Sequence, residues 1–522
     1  MLVAAIGSVS GLANQSNEKP NESVATVCMQ PFSIQFQQKQ TPIVQPTDVS
    51  SSQSRKPGTV GTDAQVSTFS EADSHPWVEI DKDGNPMVVY EHDTDLGYHE
   101  IYLQRSPDGG KTWPADQRYY LAGSANTSAI NPIIELMDNG TRAEVVFQIE
   151  QLDPRLYFIN LSNIDDPTTW VVSYSEYPAI YPWWGQRAYD VVGNHIGTMS
   201  AIDHVIAGGY DANRSFHMFF TYNIDDINSW LGMFFLTDQN NWYSCPTAAA
   251  GTEYLYGAAQ NNQSQAGSRI AVGWVPVKNL SYDTFQYRFI SAGSHNLTNP
   301  DLTASVQYVY LAVQTDEKGN NDILCYTFTG SSWVRHVVVN SSDDEMYPSL
   351  TAVGKIVLCT FVKNGNLYSS KSEDGGTTWG APEQINDVAT KVIGEYRCAN
   401  VEGPCTAWMD NRNANADIYA DVITMPWITL TKCSGGLGCS VEIANVGTGD
   451  AMGIEWNMHV QGGVKGLINI TKNGTIDITT GKVAKAKSGL FFGLGEIFIA
   501  ATVGGITIEG KGKQLLIFSM VK

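Results

Sequence analysis

An all-β chain built from repeated supersecondary units, with a smaller β unit after them, is the fold class this sequence predicts. Three observations carry that expectation. A tryptophan-ended motif returns along the central part of the chain. The stretches between its copies break into short β-branched and aromatic runs separated by Gly, Asp and Asn. Past Pro426-Trp427 the motif stops and a strict apolar/polar alternation begins.

The motif is clearest at Ser106-Pro107-Asp108-Gly109-Gly110-Lys111-Thr112-Trp113 and at Ser372-Glu373-Asp374-Gly375-Gly376-Thr377-Thr378-Trp379, both fitting S-x-D-x-G-x-T-W. Eroded copies, spelled with Asn at the start, place Asp165 before Trp170 and Asp225 before Trp230, and a fainter one ends in Ser331-Ser332-Trp333. The tryptophans are 57, 60, 103 and 46 residues apart, so the long gap reads as two periods with one marker lost near Phe285. A period of about 50 residues is the mark of a repeat architecture. The chemistry is that of a turn. An Asp carboxylate accepts backbone N–H bonds a few residues on, Gly takes the positive φ that a side chain would forbid, and Trp offers a large apolar plate to wedge against a neighbour.

These residues resemble the Asp box, or BNR repeat, of sialidase-type β-propellers. The resemblance implies a propeller in which the box turns the chain between the third and fourth strands of a blade, away from the ligand face. It also implies that Ser106, Asp108, Gly110, Trp113, Asp165, Trp170, Asp225, Trp230, Ser372, Asp374, Gly376 and Trp379 are scaffold, not chemistry. With it the expectation becomes a seven-bladed β-propeller, six blades being the alternative, followed by a small β-sandwich.

Taken in order, residues 1–13 form a short apolar run ending in small residues, which reads as a truncated signal segment that lacks a basic start. Residues 14–61 are rich in Gln, Ser, Pro and Thr without periodicity and read as a disordered linker. Residues 62–426 form the propeller. Its units restart at His75-Pro76, Asn131-Pro132, Tyr181-Pro182, Cys245-Pro246, Asn299-Pro300, Tyr347-Pro348 and Tyr396-Arg397, which gives seven starts. The last unit has three strands, and residues 64–69 are expected to supply its fourth, closing the ring and removing an exposed sheet edge. Residues 427–522 alternate with period two, the pattern of half-buried strands. Their 441–453 phrase resembles CARDB-type immunoglobulin-like modules. The uncharged stretch 489–508 is long enough for a membrane helix, but Glu496 and its Gly, Ile, Thr and Val content favour two strands joined at Gly504-Gly505, so no membrane span is expected.

A net charge of -21 with only 16% charged residues excludes a basic nucleic-acid surface. The abundance of Asn, Ser, Thr and turn residues suits a secreted or cell-surface protein, and the N-x-S/T sequons suit a glycoprotein. No C-x-x-C pair occurs, so no metal centre is expected. Cys433 and Cys439 bracket a Gly-rich loop and are the disulfide candidate, free thiols being the other reading. The 81–85 turn faintly suggests a calcium loop, against which stands its fit to a hairpin. No cofactor is expected. Glu91, His92, Asp93, Asp95 and His99 crowd one stretch that could bind a cation, though solvated loop residues explain it better.

In propellers ligands sit at the mouth of the central channel. Mapped here, that gives His75, Trp77, Asn131, Tyr181, Trp183, Trp184, Asn299, Tyr347, Tyr396, Arg397 and Arg412 as the candidate ligand-binding set, with Trp faces for sugar stacking. Packing between blades is the alternative role for these aromatics. Sialidases hold a carboxylate with three arginines and use a Tyr nucleophile. Their first arginine has no counterpart in Ser74-His75-Pro76-Trp77, so no catalytic residue is assigned. The resulting expectation is a propeller that recognises an extracellular glycan or surface protein without sialidase activity. The alternatives are a sialidase-like glycoside hydrolase and a structural envelope component.

Overall fold

The computed structural model describes residues 35–38, 62–124, 126–137, 140–149, 157–176, 187–192, 204–210, 216–221, 231–235, 241–251, 253–263, 267–279, 282–305, 308–504 and 506–521. No α-helix occurs among them, only strands and five single turns of 3-10 helix. Four-stranded antiparallel meanders follow one another along the chain. Blade 1 is Asp73–Ile80, Pro86–Asp93, His99–Arg105 and Arg118–Ala122. Blade 2 is Ala129–Met137, Arg142–Ile149, Tyr157–Leu161 and Val171–Glu176. Blade 3 is Arg187–Val192, His204–Tyr210, Phe216–Thr221 and Leu231–Phe235. Blade 4 is Asn241–Ala250, Tyr254–Gln263, Arg269–Pro276 and Gln286–Ile290. Blade 5 is Leu297–Ser305, Tyr308–Thr315, Asp322–Phe328 and Trp333–Val339. Blade 6 is Glu345–Val353, Ile356–Lys363, Asn366–Ser372 and Glu383–Gln384.

Blade 7 has Ala399–Glu402, Cys405–Asp410 and Asp417–Val422, and takes Ala64–Gln65 as its outer strand, Ala64 opposite Ala420 and Gln65 opposite Tyr419. The first strand of each blade packs against that of the next, and Ala399–Glu402 packs on Asp73–Ile80, so the ring closes. Charge locks the closing seam: Arg412 holds Asp63 at 2.6 Å, and Asp63 and Asp387 exchange backbone N–H to carboxylate bonds of 3.0–3.1 Å. Within the 14–61 stretch read as linker, Gln35–Gln38 forms a fifth strand on blade 2, paired with Val171–Glu176. An outer strand with unpaired N–H and C=O groups is the natural place for such an addition.

Second strands lie between two neighbouring sheets and are buried on both faces, which is why they read as unbroken apolar runs. In blade 1, Met87, Val88, Val89 and Tyr90 are all fully buried. Met87, Val89 and Leu103 share a core with Ile134, Val145 and Phe147 of blade 2, and comparable cores join blades 4 and 5, and blades 1 and 7.

The Trp-ended motifs turn the chain between third and fourth strands. Ser106 Oγ accepts the Gly110 N–H (2.8 Å), and Asp108 accepts the Thr112 N–H (2.9 Å) and hydroxyl (2.8 Å). The 372–379 copy repeats these bonds at 2.9, 2.8 and 2.6 Å. Gly376 has φ 79°, and a Cβ there would sit 3.1 Å from Thr327 Oγ1 of blade 5, so glycine is needed for conformation and approach alike. Trp113 is buried with residues of blade 7, and Trp170 meets Tyr119 of blade 1 edge-on at 5.1 Å. Each thus fills the seam with the preceding blade. In the eroded copy the carboxylate that closes the turn belongs to Asp166, which accepts from Thr168 N–H and Oγ1, not to Asp165, which is exposed and pairs with Arg105 at 3.0 Å. Pro167 follows Asp166 and starts a 3-10 turn there, moving the cap by one residue. Asp225 and Trp230 lie outside the described residues.

Residues 427–522 form two facing sheets. Ile428–Ser434, Ser440–Asn445 and Val483–Lys487 make the smaller. Gly436–Leu437, Phe518–Val521, Ile506–Leu516, Gly493–Val503, Ala451–Gly462 and Ile468–Ile478, in that spatial order, make the larger. Their core continues into Val353, Ile356 and Leu358 of blade 6 and Val401 of blade 7. Ser305 Oγ donates to Gly504 O (2.7 Å) and accepts the Gly354 N–H (2.7 Å), tying the sandwich to blades 5 and 6. Trp427 packs so closely on blade 7 that a Cβ on Gly403 would lie 2.5 Å from its ring. Cys433 and Cys439 are free thiols, as are Cys398 and Cys405. Register is the reason: Cys433 lies opposite Val441, leaving Cys439 two positions away, a diagonal too long for a bridge.

The turn hydrogen bonds hold the Asp374 carboxyl at about 2, Thr378 contributing most. Asp374→Ala is expected to lower stability by about 1–2 kcal/mol in urea unfolding at neutral pH. Because the carboxyl is depressed relative to the unfolded chain, the difference from wild type is full above pH ~4 and vanishes as pH falls towards 2.

Candidate functional site at the mouth of the central channel

The first strands line the channel, and each is a sheet edge with no neighbour to pair with on its inner side. The chain meets this with a bulge. His75, Asn131, Cys245, Asn299, Tyr347 and Arg397 occupy the left-handed region at φ 46–61°, one in each first strand whose mouth end is described. All but Arg397 precede proline, and in those five strands the register slips at this point. Non-glycine residues in this region cost about 1–3 kcal/mol each and persist only where the surroundings fix them; a bulge also re-aims its side chain.

Two sets of bonds fix them. A side chain on the second strand of one blade accepts the N–H of the left-handed residue of the next: Glu91 from Asn131 (2.5 Å), Gln260 from Asn299 (3.1 Å) and Gln314 from Tyr347 (3.5 Å). Slightly deeper, a polar side chain on one first strand accepts from the next first strand. Thr247 Oγ1 takes the Leu302 N–H (2.9 Å), Asp301 that of Leu350 (2.7 Å), Ser349 that of Val401 (3.3 Å) and Asn400 that of Val78 (2.9 Å). Edge N–H groups that no strand can reach are thereby satisfied from blade to blade.

Pro76, Trp77, Asn299, Tyr347, Tyr396 and Arg397 converge on a cavity of only 40 Å³ at the mouth. Arg397 crosses the neck. Its Nη2 donates to Pro132 O (2.7 Å), its guanidinium lies over the Trp77 ring with 5.2 Å to the centroid, and its buried Nε has no partner among the described residues. Tyr396 reaches from blade 7 to blade 4, donating to Pro246 O at 3.1 Å. His75 pairs with the buried Glu91 at 3.1 Å; burial opposes charge on the ring, but that carboxylate outweighs it and raises the imidazole above its usual value.

At the far end of the channel Trp427, Ile428, Gly504, Ile506 and Thr507 of the sandwich line a partly open cavity of 260 Å³, together with Glu79, Glu135 and Glu402.

Of the residues expected at the mouth, the structure brings together Trp77, Asn299, Tyr347, Tyr396 and Arg397, with His75 and Asn131 on the same ring of bulges. Arg412 is elsewhere: it sits at the closing seam, bonded to Asp410 (2.9 Å) and Asp63 and stacked 3.9 Å over Tyr419. Asp410 beside it in sequence and Asp63 across the closing seam neutralise it there, away from Arg397. Tyr181, Trp183 and Trp184 lie outside the described residues. The stretch read as a solvated loop is one only over residues 94–98, where Asp95 is exposed; Glu91 and His92 are buried strand residues, His92 bonding Asp73 at 2.8 Å, while His99 bonds Asp93 at 2.8 Å. Asp81 accepts the N–H groups of Asp83 (2.9 Å) and Asn85 (2.8 Å), the bonds of a hairpin turn.

Sequence reasoning missed Cys245, Glu91 and Asp301 as parts of the ring. The signal available was Xaa-Pro at six of the seven unit starts, followed at three of them by a polar residue: Thr247, Asp301 and Ser349.

No family model and no curated protein sequence matches the chain. Among solved structures it is similar to a prolyl endopeptidase (11% identity, 72% of this chain, 54% of the other, TM-score 0.37). The chain thus spans about half the length of that protein. It is also similar to the sialidase of Trypanosoma rangeli (9% identity, 89% and 91% coverage, TM-score 0.34) and to the BP39L lectin of Burkholderia pseudomallei (10% identity, 69% and 98%, TM-score 0.44). Identities this low speak of fold alone.

Burial raises the Asp301 carboxyl to about 7, despite the Leu350, Thr247 and Ser349 bonds that favour its charge. The folded state therefore holds a proton that the unfolded chain has released, and this group's effect is to lower stability as pH rises from about 4 to 7. Asp301→Asn is expected to flatten the dependence of the urea midpoint on pH across that window. An unchanged slope would remove Asp301 from the account.

Proposed function

We propose that this protein is a secreted or surface-displayed propeller that recognises an extracellular glycan or surface protein at the channel mouth, without sialidase activity. The observation that carries the reading is the mouth itself. Tyr347, Tyr396, Trp77 and Asn299 are set around it on a braced ring, giving aromatic faces and polar edges of the kind that hold sugar rings or peptide side chains. Its 40 Å³ cavity has no room for a buried sugar, so the ligand lies across the rim, not inside the channel.

Two features argue against hydrolysis of a sialoside. Arg397 and Arg412, the arginines available for a carboxylate clamp, are in different clusters, and Arg412 is neutralised by Asp63 and Asp410. A sialidase also needs carboxyl groups open to the substrate, one to activate its Tyr nucleophile and one to act as acid/base. Of the acids at this mouth, Glu91 is buried and bonded to the Asn131 N–H, and the half-buried Asp301 is held by the Leu350 N–H.

Glycan-array or pull-down binding is expected to weaken about tenfold or more when Tyr347 or Tyr396 is changed to Ala, with stacking as the lost interaction. A fluorogenic sialoside should show no turnover. Binding unchanged in both variants would reject the mouth as the site, and sialoside hydrolysis lost in Asp301→Asn would replace recognition by catalysis.

A further inference from the structure

The far end of the sandwich carries a feature that the channel mouth does not use. Among the described residues, twelve of the sixteen strongly exposed large apolar side chains belong to the sandwich. Most of these gather at one end. Leu437, Phe518, Leu515 and Leu494 are direct cross-strand partners in turn, forming one exposed apolar row across four strands. Two loops add to it. Leu467 is 82% exposed in the loop whose Val464 backbone lies against Gly495, and Phe492 is 74% exposed beside Phe491, whose carbonyl accepts from Gln514. These six side chains together expose roughly 700 Å², above the 300–600 Å² usual for the largest patch of a monomer.

Its place in the fold matters. The hairpin Gly493–Val503 and Ile506–Leu516 has its Gly504 turn on the propeller, where Ser305 bonds it. The apolar row sits at the opposite end, eleven residues or roughly 35 Å away. The channel mouth faces the other way, since this sandwich lies at the channel's base.

Charge selects the occupant. In a chain of net -21, residues 427–522 carry nine lysines against six carboxylates. Exposed Lys465, Lys487 and Lys513 flank the tip, with Glu496 the acidic neighbour opposite Lys513. A second copy docked face to face would bring these lysines against each other, because an isologous interface matches a patch with itself. An anionic lipid surface instead receives the Leu and Phe tips into its acyl boundary and adds about 1 kcal/mol per lysine.

We infer that the sandwich tip is a peripheral membrane-docking surface for anionic lipid, holding the propeller with its mouth turned away from the bilayer. No span is required, and the described helices offer none.

The full chain is mixed with phosphatidylcholine vesicles, with and without about 30 mol % phosphatidylserine, and floated. Binding is expected on the anionic vesicles, weaker on the neutral ones, and reduced at least about tenfold by Leu467→Asp with Phe492→Asp. Lys465→Glu with Lys487→Glu should reduce the anionic binding alone. Both pairs are exposed, so thermal unfolding should match wild type. No flotation of the wild-type chain, or flotation indifferent to the apolar pair, overturns the proposal. A dimer in sedimentation equilibrium that Phe492→Asp dissolves, without vesicle binding, gives the patch to a second copy. Glycan binding at the mouth is read separately, so either idea can fail alone.

Discussion

The structure depends on satisfying the inner edge of every blade. A first strand has a partner on one side and the channel on the other, so its inward N–H groups have no ladder to join. Burying them unpaired would cost roughly 1–3 kcal/mol each. Thr247, Asp301, Ser349 and Asn400 remove that cost by accepting across the gap to the next blade. Glu91, Gln260 and Gln314 do the same one layer nearer the mouth. Because every donor sits on a different sheet from its acceptor, these bonds form only when the ring is assembled. They couple local strand geometry to closure.

The bulges follow from the same constraint. A left-handed residue before proline is an unfavourable choice for an isolated strand, yet His75, Asn131, Cys245, Asn299 and Tyr347 all adopt it. The kink turns each strand at the rim, and at Asn131, Asn299 and Tyr347 the N–H it exposes is taken by the preceding blade. A strained conformation held from two sides is a rigid one, which suits a surface meant to present side chains in fixed positions. Asp301 shows the limit of the device. Four donors surround it, but burial still outweighs them and leaves the carboxyl ready to bind a proton near neutrality.

The two ends of the axis have different chemistry. At the mouth, tyrosines, Trp77 and Arg397 meet over a polar ring; at the base, Trp427 and the Gly504 turn line the channel, with the sandwich core running into blades 6 and 7. Propeller and sandwich therefore form one packed body with a channel-mouth end and an apolar, lysine-flanked end. That polarity joins the two proposals without making either rest on the other.

Much of this was legible from residues alone. The tryptophan-ended turns, the apolar second strands and the switch to period two after Trp427 are local signals. They set an all-β propeller followed by a sandwich, with residues 64–65 closing the last blade, and the 489–508 stretch read correctly as two strands. A turn is made by its own residues, so Asp108 and Asp374 declare themselves; Asp165 was misjudged because Pro167 shifts the cap to Asp166. What the sequence could not hold was anything decided between blades. Arg397 and Arg412 look alike in one dimension, yet one spans the channel neck and the other locks the seam to Asp63, more than 300 residues away. Cys433 and Cys439 looked bridged until register set them two positions apart. Glu91 and His92 read as loop residues because their partners, Asn131 and Asp73, are brought to them by the folded sheets. Spacing along a chain fixes turns and strands, but only closure of the ring decides which polar side chains are buried, paired and left facing the channel mouth.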